Sequence, residues 1–311
     1  MNKSVRTDLA CEARDAWTRS RSGALPGVSA RRDVRDGFGV ETVDITGENA
    51  SKELCKPKGR YTTVEINALI RREENAFRRA CGVLAREIRT QLALSPDESV
   101  LVVALGNADI TPDAVGPLAA ESVLVTRHLK SRLPEEFAAF RPVSVLRTGV
   151  LGTTGMESAA LVGGVVSLFH PDRVIVIDAL SARDTARLCR AVQVSDAGIV
   201  PGSGVGNARS ALTKDSLGVP VVAVGVPTVV DARTLCADLS GAEAALPDGE
   251  ELFVTPRDID SRVRDSARLV GYAVNLALHD ALTIEDIDMF LSYCRLTRAH
   301  AVLPGRNPCF T

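Results

Sequence analysis

Apolar residues along this chain fall into two rhythms. Nearly unbroken apolar runs occur at SVLVVAL (99–105), DRVIVID (172–178) and VPVVAVGVPT (219–228). Runs of that length, without the alternation of a half-exposed strand, fit strands covered on both faces. PVSVLRTGV (142–150) and the start of RAVQVSDAGIVPGSGVGN (190–207) add two more candidates, and VETVDIT (40–46) and YTTVEI (61–66) read as earlier strands. Between the runs, apolar residues recur at helical spacing. Leu69, Phe77, Cys81, Leu84 and Ile88 predict a long helix over roughly 67–92, and further helices are expected from about Ala114 to Lys130 and near 155–168. Thr255-Pro256-Arg257-Asp258 reads as a helix start, with Thr255 as cap and Pro256 in the first turn. Ile259, Val263, Ala267, Val270 and Ala273 then mark its buried face, and ALTIEDIDMFLSYC (281–294) forms a last helix.

Strands alternating with helices at this spacing predict an α/β fold, a mostly parallel sheet wrapped on both faces. Residues 9–60, rich in Arg, Gly and Ser, are expected to be largely irregular, and 61–311 to form the main α/β domain. With 311 residues, 45% of them hydrophobic, the chain can fill a large core. The net charge of −2 gives no field favouring nucleic acid, and 4% aromatics make a base-stacking platform a poor reading. Residues 1–36 carry eight Lys/Arg against five Asp/Glu, read as a solvated segment or a docking arm. Seven dispersed cysteines without a C-x-x-C pair fit a reducing compartment. The charged start MNKSVRTDLACEARD is unlike a secretory signal, and no run is long enough to span a membrane, so a cytoplasmic protein is expected.

Two carboxylates stand out by position. Asp113 follows the first apolar run and its loop, GNADITPD, and Asp178 closes DRVIVID. Ligands of open parallel sheets bind at the carboxyl ends of strands, where two such acids can share one cleft and divide acid and base work. Asp113 reads equally as a helix cap and Asp178 as a group bonded to local backbone, while Asp109 and Asp184 compete on position alone. GVLGTTGMES (149–158) and PGSGVGN (201–207) lack the P-loop lysine and the G-x-G-x-x-G spacing, so their glycines are read as turns or points of close backbone approach. The four histidines are widely spaced with no H-E-x-x-H, no serine sits in a G-x-S-x-G elbow, and no cysteine has a nucleophile signature.

Taken together, the segments SVRTDLACEA (4–13), KPKGRYTTVE (56–65), LGNADITPDAVGP (105–117), RPVSVLRTGVLGTTGMES (141–158), VIDALSAR (176–183), QVSDAGIVPGSGVGNAR (193–209) and VTPRDID (254–260) resemble the germination protease family of endospore formers. LVTRHL (124–129) and GVPTVVDA (225–232) match it as well. That resemblance implies a three-layer α/β/α sandwich with a Rossmann-like sheet, similar to the hydrogenase-maturation endopeptidases, and a smaller appended region. It implies a homotetrameric endopeptidase, located in the cytoplasm of the forespore and the spore core, that degrades small acid-soluble spore proteins during germination. It also implies a zymogen that sheds a short propeptide by itself, and it matches the family's essential aspartates to Asp113 and Asp178. The family's preference for an acidic residue, then an apolar one, then Ala matches Asp8, Leu9 and Ala10, which makes residues 1–8 the propeptide. Val5 departs from the acidic residue preferred three positions before the cut.

The expected mechanism has one carboxylate activating water while the protonated partner polarises the scissile carbonyl. Turn groups at Gly106, Asn107 and Thr111, at Gly152, Thr153 and Gly155, and at Gly204 and Gly206 are expected to support the site, with amides of the first two turns as oxyanion donors. No cofactor and no metal is expected. The competing readings are a metal-dependent maturation-type endopeptidase and a non-catalytic α/β peptide-binding protein.

Overall fold

The computed structural model describes residues 7–21, 23–203, 209–240 and 251–300. Nine strands form one sheet among them: β1 (Val28–Arg35), β2 (Phe38–Ile45), β3 (Gly59–Glu65), β4 (Val100–Leu105), β5 (Val143–Gly149), β6 (Arg173–Ala182), β7 (Ala191–Ser195), β8 (Val221–Asp231) and β9 (Phe253–Val254). The order is β1-β2-β3-β7-β8-β6-β4-β5, with β9 paired to β8. The strands β5, β4, β6 and β8 run parallel, as the apolar runs predicted. The strands β7, β3, β2 and β1 extend the sheet antiparallel.

Helices cover both faces: α1 (Ala10–Ser20), α2 (Glu48–Leu54), α3 (Asn67–Ile70), α4 (Ala76–Leu92), α5 (Val115–Ala120), α6 (Arg127–Arg132), α7 (Leu151–Thr154), α8 (Ser158–Phe169), α9 (Lys214–Leu217), α10 (Ala232–Ser240), α11 (Ile259–Leu278) and α12 (Ile284–His300). Alternate strand residues serve alternate layers, because successive side chains point to opposite faces. Val102, Ile175, Ile177, Val222 and Val224 join α4 and α11 in the largest apolar cluster. Leu101, Val103, Val174 and Val176 face the other way, onto Val162 and Val166 of α8. A third cluster packs Leu9, Cys11, Ala50 and Leu54 against Val43, Ile45, Tyr61 and Leu180. Each such side chain, fully buried, is worth ~1.5–3 kcal/mol relative to exposure. Among the described residues no helix is long and apolar enough to cross a membrane.

Several elements differ from the sequence expectation. Residues 9–60 are not irregular: they form α1, β1, β2 and α2, and two of the sheet's strands. The helix expected over 67–92 is two, α3 and α4, because Arg72 and Asn75 take left-handed backbone angles between them. The helix expected over 114–130 is also split. Buried Asn275 of α11 accepts from Leu124 N and donates to Ser122 O, and Thr126 bonds Arg141 and Val143, which holds residues 122–126 out of helical geometry. Thr255 does not cap α11. Its hydroxyl donates to Thr228 O at 3.1 Å beside β9, and the helix starts at Ile259. The last helix begins at Ile284 and runs on to His300.

Candidate active site

The chain leaves β4 for β5 on one side and later returns to β6 on the other, so the crevice between β4 and β6 is a topological switch point. There β4 stops at Leu105, its pairing with β6 ending at Ala104 and Ile177, while β6 continues beside β8 to Ala182. Asp178 is therefore not at the end of its strand. It is the first residue of β6 beyond the pairing with β4, and a cleft opens at that point.

That cleft, of about 430 Å³, is lined by both aspartates, together with Asp8, Gly106, Arg209 and Thr228. Asp113 is brought in by the turn after β4. Its Oδ2 accepts from Asn107 N at 2.7 Å, closing the 106–113 loop, and its side chain caps no helix. Two glycines make the turn possible. Gly106 has φ +104, and a Cβ there would meet Asp113 O at 2.1 Å; one at Gly116 would meet Leu105 O at 2.2 Å. Asp178 is 6% exposed, and its Oδ1 accepts from Ala179 N at 2.9 Å.

Electrostatics separate the two acids. Burial, then the nearby Asp113 charge, pushes Asp178 well above the usual carboxylate range; Asp8 adds to the shift and the Ala179 amide opposes it. Burial also raises Asp113, but the Asn107 amide and the Arg209 guanidinium oppose that rise. Asp178 is thus the member that holds a proton more readily. Arg209 is in turn paired with Glu157 at 3.4 Å.

The junction residues reach the same place. Asp8 lines the cleft, Leu9 is fully buried in the amino-terminal cluster, and Ala10 opens α1. Glu12 in the first turn of α1 is buried, with its carboxylate accepting from the Thr7 hydroxyl and from the Arg183 and Asp184 amides.

Other expected positions fall elsewhere. Thr111 donates to Asp260 of α11 at 2.8 Å, away from the cleft. Gly152, Thr153 and Gly155 do not line the cleft, where the same turn contributes Gly149, Val150 and Leu151. The amides of Asn107, Asp109 and Ile110, and of Thr153, Thr154 and Gly155, are bonded within their own turns and are not free oxyanion donors. Gly204 and Gly206 lie outside the described residues. Asp109 is exposed, and Asp184 accepts from Ala186 N, starting a short turn. None of His128, His170 and His279 lines the cleft. Burial pushes the thiols of Cys11 to about 11 and Cys189 to about 12, which rules them out as thiolates at neutral pH. Among the described residues no group of three or more His, Cys, Asp and Glu stands together as a metal site would require, and the cleft offers acid oxygens without imidazole or thiolate. Arg209, Ser158 and Thr228 line the cleft but carry no spacing signal that marks them.

The germination protease family model matches residues 5–241. The chain belongs to the germination protease family. Similar germination proteases include those of Caldanaerobacter subterraneus subsp. tengcongensis (40% identity, covering 92% of this chain and 98% of that protein), Clostridium tetani (35%, 93% and 100%) and Bacillus subtilis (35%, 91% and 95%). Among solved structures, a NiFe hydrogenase maturation protease from Thermococcus kodakarensis matches at 19% identity with a TM-score of 0.34, covering 60% of this chain and 97% of that one. As a germination protease, this chain is a peptidase, and both aspartates of the cleft fall inside the matched span.

Proposed function

We propose that this chain is the endopeptidase that starts the degradation of small acid-soluble spore proteins during germination, acting in the spore cytoplasm through Asp113 and Asp178. The observation that carries this reading is the shared cleft: two carboxylates, one from β6 and one from the turn after β4, with unequal proton affinities, face one space together with the acidic residue of the junction. Ionised Asp113 takes a proton from water as the oxygen attacks the scissile carbonyl. Protonated Asp178 donates to the carbonyl oxygen; as the tetrahedral intermediate collapses, the proton on Asp113 passes to the leaving amine and Asp178 takes one back from the gem-diol hydroxyl that becomes the new C=O. The cut falls after an acidic residue and before an apolar residue and Ala.

The same reading makes the chain a zymogen that removes residues 1–8 by itself. Asp8 stands in the cleft, but Leu9 is buried and Ala10 is helical, so scission follows loosening of the first turn of α1. The active form is a homotetramer. The outer side of α8 supports this: Leu168 is 72% and Phe169 43% exposed on a helix with no charged residue.

The deciding experiment is incubation with a purified small acid-soluble spore protein, with the cut sites mapped by mass spectrometry. Asp113→Asn and Asp178→Asn should each lose about 10²-fold or more in rate, the scale expected when a general acid or base is removed. Undiminished cleavage by either variant removes that residue from the mechanism. Activity lost to EDTA and restored by one metal transfers the reading to metal-assisted hydrolysis.

A further inference from the structure

Asp8 is held through both its backbone and its carboxylate, by groups that also reach Thr7 and Ala10 on either side of it. Its N–H donates to Ser181 O at 2.8 Å, and its carbonyl accepts from Gln193 Nε2 at 3.1 Å. Its carboxylate accepts from Ser181 N at 2.8 Å through Oδ2 and from the Ser203 hydroxyl at 2.7 Å through Oδ1. Lys56 lines the same cavity of about 290 Å³ with Asp8 and Asp178. Its Nζ donates to Thr7 O at 2.8 Å. Burial lowers the Lys56 pKa, and Asp8 is the foremost of the acids that oppose this. The seat therefore satisfies both the backbone and the side chain of a single acidic residue, one side chain away from the candidate catalytic pair.

We propose that this seat is the subsite for the acidic residue preceding the cut bond in protein substrates, with Lys56, Ser203 and the Ser181 amide taking its carboxylate and Gln193 and Ser181 O its backbone. The inference rests on the endopeptidase reading and adds the residues that decide specificity. Once residues up to Asp8 depart, the donors on Ser181, Ser203, Gln193 and Lys56 all lose their acceptors. Donors left bare in a partly dry cavity are costly, so a ligand that refills them is favoured. A carboxylate answers all three side-chain-facing donors and balances the ammonium. An amide of the same shape offers one acceptor oxygen and leaves the charge unpaired.

In the test, the chain freed of residues 1–8 is given peptides spanning Ser4 to Asp15, with Asp, Asn or Lys at the position of Asp8. The Asp peptide should exceed the Asn peptide in kcat/KM by about tenfold or more, and the Lys peptide should be refractory. Lys56→Met should collapse that ratio toward unity by lowering the Asp rate alone, and Ser203→Ala should narrow it. Equal losses on both peptides, or an unchanged ratio, overturn the subsite. A second measurement needs no catalysis. Full chain carrying Asp8→Ala is titrated by fluorescence anisotropy with a labelled, amidated peptide of residues 1–8, either with its native Asp8 or with Asp8→Asn. The native peptide should bind about tenfold more tightly, and added Lys56→Met should erase the difference. Equal binding of the two overturns the subsite. Lys56-dependent binding without any cleavage keeps the subsite and overturns the endopeptidase reading. Acid-selective cleavage untouched by Lys56→Met does the reverse.

Discussion

At the residue scale, the site is governed by what each carboxylate can hydrogen-bond. Asp178 has one backbone donor and deep burial, whereas Asp113 has the Asn107 amide and the field of Arg209. A pH prediction follows for stability. The folded-state pKa of Asp178 is raised, so folding favours its protonated form. The group's contribution is fully present below the ordinary carboxylate pKa and is lost as pH rises through the raised value. Asp178→Asn cannot ionise. Its unfolding free energy should gain on the native chain as pH rises through that window, by at most about 1.4 kcal/mol per pH unit and with Tm rising in step, while proteolysis is lost. Parallel Tm curves would show that Asp178 is not the proton holder. Gly116 gives a purely steric prediction: Gly116→Ala drives a methyl into the β4 and β6 carbonyls and should cost about 1–3 kcal/mol in a denaturant melt, as overpacking does. Both aspartates of the cleft were legible by position, Asp178 closing a long apolar run and Asp113 ending the loop that follows another. Arg209 in the cleft and Lys56 and Ser203 in the neighbouring cavity were not, because they reach Asp8 and the aspartates only through folding of distant loops.

At the scale of elements, sequence reasoning found the apolar strands and missed β1 and the two-residue β9. β1, VSARRDVR, is exposed or half-exposed throughout and has no apolar rhythm, so only its pairing with β2 makes it a strand. Its charges suit a sheet edge, where they discourage pairing with other chains. The helix breaks were hidden for a related reason: Asn275 fixes residues 122–124 from more than a hundred positions away. α11 also ends on a buried histidine. Burial and the neighbouring Arg141 lower His279 to about 4, while its Nδ1 accepts from Arg141 N at 3.3 Å. A depressed histidine contributes stability that is present above its ordinary pKa of about 6.5 and is lost as pH falls toward 4. His279→Gln should flatten the loss of stability between those values, measured as urea midpoints at pH 7 and pH 4.5. An unchanged slope would place the acid sensitivity elsewhere.

At the scale of the whole molecule, the parallel strands supply the cleft and the antiparallel extension carries the amino-terminal segment to it. The alternation of strands and helices anticipated the first part. It could not anticipate that β7 reverses direction and joins β3 to β8, because the β3–β7 pairing joins residues more than a hundred positions apart. The exposed side of α8 belongs to this scale too. In the proposed homotetramer, Leu168→Glu should shift the mass from four times the 33.0 kDa chain toward smaller species in light scattering, with little change in the fold. An unaltered mass would move the subunit contact to another face.

The overhang of β6 beyond β4 leaves the N–H and C=O of Ser181 turned toward open space, and Asp8 meets both of them. A visiting polypeptide that takes the place of Asp8 has to offer a free main-chain N–H to Ser181 O as well as a carboxylate to Ser181 N. A segment coiled into a helix, or already paired within a sheet, has no amide to spare. Under the proposed function, susceptibility tracks how far a protein has lost internal structure around the acidic residue that enters the seat, and well-folded proteins are spared by their own architecture.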